Sequence, residues 1–236
     1  MECVRKLTND LYWVGADDRR LALFENIHPI PRGVSYNSYL LLDEKTVLFD
    51  TADWSVCKQF LENVEGVLKG RKLDYLIINH VEPDHAASIE EVLLRHPETT
   101  VISNEQAFTL MDQFGYRVEG EKQIVVKEGD TQKFGKHTIA FVAAPMVHWP
   151  EAMVSFDLTT GTCSPPMPSV PSEPWAAVSS TMKWISTGTG WMMPAGTTPT
   201  SWANTVPSSW TFWARQPAGH QDDLPAPRPV WRNNIK

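Results

Sequence analysis

The first 162 residues predict an α/β fold. Short apolar runs of strand length alternate with segments of helical period, and turn residues punctuate the joins. The residues able to do chemistry gather directly behind one of the apolar runs. In open α/β sheets, ligand sites lie on loops at strand ends.

In chain order, "LYWVGA" from Leu11, "SYNSYLLL" from Ser35 and "TVLFDTA" from Thr46 read as strands, rich in β-branched and aromatic residues. "SVCKQFLENVEGVLKG" then places Val56, Phe60, Val64 and Val67 on one helical face, opens on a Ser55 cap and stops at Gly70. "LDYLIINH" from Leu73 is the next strand. "ASIEEVLLRHP" from Ala87 reads as a helix ended before Pro97, and "TTVISN" from Thr99 as a strand. "NEQAFTLMDQFG" starts at an Asn104 cap and stops at Gly115, and "HTIAFVAAP" from His137 is a further strand.

The segment "INHVEPDHAAS" puts His80, Glu82, Asp84 and His85 within six residues, immediately after the apolar run Tyr75 to Ile78. The pattern His–x–Glu–x–Asp–His fits neither amphipathic period, because its polar residues occupy both faces. A loop that folds back on itself lets all four groups converge, with Pro83 stiffening the turn. Ala86, Ala87 and Ser88 would then begin a helix beneath it. A solvated acidic loop, or a helix N-terminus complemented by Glu82 and Asp84, accounts for the acids but not for two flanking histidines. Mixed histidine and carboxylate donors suit iron or manganese and can bridge two ions, whereas a zinc hydrolase tends to prefer imidazoles. Glu82, standing where a third histidine would often be, points toward iron. "APMVHWPE" adds His148 at another strand end, beside Trp149 and Pro150, which can wall off water. A lone histidine is more often structural; the first cluster makes this one a candidate ligand.

Composition changes abruptly after residue 162. Residues 1–162 hold 41 Asp, Glu, Lys or Arg, but residues 163–228 hold 6 in 66 positions, together with 11 of the 18 prolines and 6 of the 10 tryptophans. Flexible linkers lack such apolar anchors, so this is a boundary and not a linker. The net charge of −7, with no clustered Lys or Arg, argues against nucleic acid. No apolar run reaches the length of a membrane span, and "MECVRKLTNDLYWVG" lacks the apolar core of a signal peptide, so a cytoplasmic protein is expected. Cys3, Cys57 and Cys163 are odd in number and far apart, and read as reduced bystanders.

At the residues "PIPRGVSYNSYLLLDEKTVLFDT", "NHVEPDHAASI" and "HWPEAMVSFD", the sequence resembles the flavodiiron proteins, or A-type flavoproteins, over essentially all of residues 1–162. The resemblance implies a metallo-β-lactamase-like αββα sandwich, incomplete here. It further implies a non-haem di-iron oxidoreductase that reduces dioxygen to water or nitric oxide to nitrous oxide, with electrons from FMN in a C-terminal flavodoxin-like domain. His80, Glu82 and His148 would bind one iron, with Asp84 and His85 facing the other. A rubredoxin-like or flavin electron donor and a head-to-tail homodimer come with the family. So does the expectation that this chain, ending at residue 236, lacks the flavodoxin-like domain and binds no FMN in cis. Two hydrolytic or silent alternatives stay open: a metallo-β-lactamase-superfamily hydrolase using a metal-bound hydroxide, and a non-catalytic remnant.

The family also needs a bridging aspartate in a Phe-Ser-(small)-Asp-Ala-Phe-Gly segment and a histidine in Leu-His-Gly-Pro. Neither stands in the sequence; Asp157 lies too early and His220 has the wrong setting. Shifting the reading frame at the Thr162/Cys163 junction permits Leu-Phe-Ser-Ala-Asp-Ala-Phe-Gly-Thr-Phe-Gly across Cys163 to Glu173, with the alanine after the aspartate forced by the Met167 and Pro168 codons. In the remaining frame "HQDDLPAPR" permits Ile-Lys-Met-Ile-Cys-Pro-Leu-His-Gly, and the written frame returns at Pro229. Residues 163–228 are therefore expected to be out-of-frame and irregular, residues 229–236 a short in-frame remnant, and the chain impaired or inactive.

Overall fold

The computed structural model describes residues 3–24, 28–31, 33–146 and 148–164, so the expectations for the rest of 163–228 and for 229–236 lie outside the described residues. The N-terminal strands are β1 (Arg5–Lys6), β2 (Leu11–Trp13), β3 (Ala16–Asp18), β4 (Leu23–Phe24), β5 (His28–Pro29), β6 (Val34–Tyr36), β7 (Tyr39–Leu42) and β8 (Thr46–Phe49). Then come α1 (Cys57–Leu68), β9 (Tyr75–Ile77), α2 (Pro83–Ala86), α3 (Ile89–Arg95), β10 (Thr100–Ser103) and α4 (Glu105–Phe114). The last strands are β11 (Gln123–Val125), β12 (Thr131–Lys133), β13 (Thr138–Ala143), β14 (Met153–Asp157) and β15 (Thr162–Ser164).

One mixed sheet has the order β1-β2-β7-β8-β9-β10-β11, antiparallel through β8 and parallel from β8 to β11. A second, antiparallel sheet has the order β12-β13-β14-β15. Strand alternation decides what each face meets. Leu40, Leu48 and Leu76 pack with Phe60, Val64, Val92 and Met111 from the helices. Their neighbours Leu41, Val47, Phe49 and Ile77 point the other way, against Phe134, Ile139, Phe141 and Met153 of the second sheet and its flanks. The described residues therefore form helix, sheet and sheet layers of an α/β sandwich.

The helices follow the expected periods with one correction, at the start of α1. Ser55 is not the cap of α1: a short 3-10 turn at Trp54–Val56 precedes it, and Asp53 caps that turn by accepting from the Ser55 N–H at 2.8 Å. The exit matches, with Lys69 and Gly70 both left-handed. Asn104 caps α4, accepting from the Ala107 N–H at 2.9 Å, and Gly115 closes it at φ 86°. The run Ser35 to Leu42 is not one strand. It divides between β6, which pairs with β3, and β7 in the main sheet. At that corner a Cβ on Gly15 would lie 1.9 Å from the Tyr36 carbonyl oxygen, so only glycine fits. Buried Asn63 of α1 ties the same corner down, its amide donating to the carbonyls of Gly15 at 2.8 Å and Val14 at 3.2 Å.

Candidate metal centre

The cluster is built where β8 and β9 end side by side. Asp50, just past β8, sits at φ 55° and donates its N–H to the Ile77 carbonyl. Its carboxylate accepts from the Asn79 N–H at 2.6 Å and from the Asn79 side-chain amide at 3.1 Å. Asn79 also accepts from the Ser155 hydroxyl at 2.7 Å and, through its carbonyl, from the Met153 N–H at 3.0 Å. The chain leaving β9 is thus tied to both sheets before it reaches His80.

From there the chain turns into α2, a single helical turn with Pro83 at its start, so Asp84 and His85 sit on a helix and not on the open loop expected. The His85 and Ala86 N–H groups donate to the Glu82 carbonyl, and Thr51 donates both its N–H and its hydroxyl to the His85 carbonyl, each at 2.7 Å. The one turn is therefore held from both ends.

His80, Glu82 and His148 come together. The Nε2 atoms of His80 and His148 each lie 2.9 Å from the same oxygen, Oε2 of Glu82, and one donor atom from each residue falls within 4.8 Å of the others. His80 is 1 % exposed and Glu82 is buried, but the His148 side chain is 37 % exposed. Trp149 meets the His80 ring edge-on with centroids 5.3 Å apart, so it walls His80 and leaves His148 reachable by water, contrary to the sequence expectation. Asp84 and His85 lie beside this set. His85 Nε2 is 3.4 Å from Asp84 Oδ2 and Nδ1 is 3.8 Å from Asp50 Oδ2, yet neither nitrogen makes a hydrogen bond, and neither does either oxygen of Asp84.

Burial and neighbouring charge act differently on each group. Burial opposes protonation of His80, but the hydrogen bonds it donates to Glu151 and Glu82 outweigh it and push it up to about 9. Burial, reinforced by the charge of Glu82, raises Asp84 to about 7. Burial drives His85 down to about 4 against the pull of Asp50, whose own carboxyl burial raises. A buried carboxylate and a buried imidazole without hydrogen bonds are costly unless a further group satisfies them. The three convergent donors and these orphaned atoms fit cations, with Nε2 of two histidines and a carboxylate oxygen as the donor set.

Two residues of the site escaped the sequence reading. Glu151 accepts at 2.8 Å from the Nδ1–H of His80 and at 3.1 Å from the Val81 N–H. Asp50 stands behind His85. Their signals were an acid directly after His-Trp-Pro and an acid closing an apolar strand.

A layered α/β sandwich with a histidine and carboxylate cluster at the ends of its central strands is a β-lactamase-like domain. The "ODP family beta lactamase" model matches residues 34–163. The anaerobic nitric oxide reductase flavorubredoxin of Salmonella typhi is 35 % identical over 150 residues, covering 63 % of this chain and 31 % of the relative. A flavorubredoxin homolog from Escherichia coli O157:H7 is also 35 % identical, with 36 % of its length covered. The chain thus spans about a third of the length of the curated relatives it matches. Among solved structures, rubredoxin oxygen:oxidoreductase from Desulfovibrio gigas superimposes with a TM-score of 0.64 at 31 % identity, over 68 % of this chain and 40 % of that one. The flavodiiron protein from Giardia intestinalis gives 0.64 at 25 % identity, over 69 % and 39 %. This chain belongs to the flavodiiron protein family, matching the N-terminal part of its relatives. Among the described residues no helix is long and apolar enough to cross a membrane.

Proposed function

We propose that residues 1–162 are the iron-binding part of a non-haem di-iron oxidoreductase that reduces dioxygen or nitric oxide. The observation that supports this most is the mixed donor set, His80 and His148 with Glu82, beside buried Asp84 and His85 that lack hydrogen-bond partners. Iron held there would supply electron transfer to the small diatomic substrate. The protein's own part is positional. Glu82 draws both imidazoles to one oxygen, Trp149 shields His80, and the ties from Asn79 and Thr51 keep the two ligand-bearing segments in register. FMN, a rubredoxin-like or flavin donor and homodimerisation belong to this reading by family resemblance, and a rubredoxin-type donor agrees with the relatives' names, flavorubredoxin and rubredoxin oxygen:oxidoreductase.

Asp157 takes no part in this donor set, because His137 and Thr160 engage it at the far end of β14. The bridging aspartate and the last histidine are assigned to the shifted frames of residues 163–228, so His80, Glu82 and His148 form a mononuclear site and the chain as written has impaired turnover. Metal analysis after anaerobic iron reconstitution, with oxygen and nitric oxide consumption under an external reductant, tests this. Iron near one per chain with little turnover is expected. Two irons per chain would sink the impairment, and zinc with esterase turnover would favour the hydrolase. The DNA spanning codons 160 to 230 tests the frame assignment, which fails if the alternative frames lack both motifs.

A further inference from the structure

We infer that Glu151 is the positioning residue of the metal centre: its carboxylate fixes which nitrogen of His80 carries the proton and fastens the two ligand-bearing segments together. The inference rests on the reading above, that His80, Glu82 and His148 hold a metal.

The geometry is specific to one oxygen. Glu151 Oε1 accepts from both the His80 Nδ1–H and the Val81 N–H, while Oε2 makes no hydrogen bond. With Nδ1 committed as a donor to Glu151, Nε2, which faces Glu82, is the nitrogen left to exchange its proton for a metal. An imidazole whose far N–H rests on an anion is the stronger ligand and holds its ring orientation. The two bonds span 71 and 70 residues of sequence, joining the segment after β9 to the one before β14. That second segment is itself anchored, because the Asn104 amide donates to the Glu151 carbonyl at 2.6 Å and Ala144 donates to Ala152 at 2.8 Å. The side chain of Glu151 is fully buried, and a buried carboxylate on an aliphatic site would only cost stability. His85 has no equal support, since Asp50 stands 3.8 Å from its Nδ1 without a hydrogen bond.

Zinc and cobalt(II) titrations of the full chain against a chromophoric chelator test the role. Glu151→Gln should weaken both metals about 10- to 100-fold and shift the visible bands of the saturated cobalt form. Asn104→Ala disturbs the same segment but spares the Glu151 carboxylate, and should stay within about threefold of wild type. Wild-type affinity and bands in Glu151→Gln, or an equal loss in Asn104→Ala, would overturn the inference. His148→Ala locates the metal. If it binds like wild type, the functional reading falls and the inference with it; if it loses affinity while Glu151→Gln does not, the inference alone falls. Should Glu151→Gln fail to fold, Glu151→Asp, which withdraws the charge by one methylene, carries the same two outcomes.

Discussion

His80 and His137 are both buried histidines flanked by two carboxylates, yet only one belongs to a candidate metal centre. His137, at the start of β13, donates from Nδ1 to Asp157 at 2.7 Å and faces Asp10 with Nε2 at 3.2 Å. Each acid there has further donors: the Thr159 N–H and Thr160 hydroxyl serve Asp157, and the Thr8 hydroxyl and Lys136 serve Asp10. That cluster closes on itself and clamps the β1–β2 turn to the second sheet. The His80 cluster stays open, because Glu82 is shared by a second imidazole while Asp84 and His85 go without hydrogen bonds. What separates a binding site from a brace is therefore the ledger of satisfied atoms around the histidine, not burial or charge count.

Replacing each histidine by alanine should break the comparison most sharply. His80→Ala is expected to lower zinc or iron(II) affinity by more than about 100-fold, beyond the loss usual for a group behind a ligand. His137→Ala should leave affinity unchanged, as chelator competition would show. Stability should respond in the opposite sense. Loss of His137 removes two charge-assisted hydrogen bonds and should cost about 2–3 kcal/mol in urea unfolding.

The brace also has a pH signature. Hydrogen bonding to Asp157, against burial, raises His137 above its ordinary 6.5, so its contribution is full below that value and is lost as pH rises through the folded pKa. Asp157 and Asp10 are lowered, because hydrogen bonds outweigh their burial; their contribution is present above about 3.8 and lost as pH falls. Wild-type stability should therefore decline from pH 6 to pH 8, and the decline should be shallower in His137→Ala, where His80, raised to about 9, still contributes. The smallest effect is expected at Asp84. Its folded pKa, raised by burial to about 7 from 3.8, means that stability is lost as pH rises from about 4 to 7 and the penalty is full above pH 7. Asp84→Asn should gain about 0.5–1 kcal/mol at pH 8 in the presence of a chelator, with the gain shrinking toward pH 5. A loss of stability at pH 8 would show that the carboxylate is satisfied after all.

The sequence disclosed the cluster because His80, Glu82, Asp84 and His85 break both amphipathic periods directly after an apolar strand. His148 was legible only once that cluster existed. Glu151 was not, since an acid following proline reads as exposed loop, and only the 2.8 Å contact across the fold reveals its burial. The apolar runs that hold β8, β9, β10 and β13, longer in sequence than the strands themselves, and the caps of α4 were clear from composition and punctuation. Strands of two or three residues, such as β1, β3 and β12, carry no period to detect. The corner between β6 and β7 bends at Asn37 and Ser38 without glycine or proline, which is why one strand was expected where two exist.

If His80, Glu82 and His148 hold a cation as proposed, the unequal exposure of the two imidazoles would set an order of events for its exchange. His80 and Glu82 are held by buried contacts, so a cation arriving from solvent would reach the accessible His148 first and would part from it first on leaving. Its release would then follow rotation of one surface side chain, and residence would lengthen with any contact that restrains His148, without a change of donor atom.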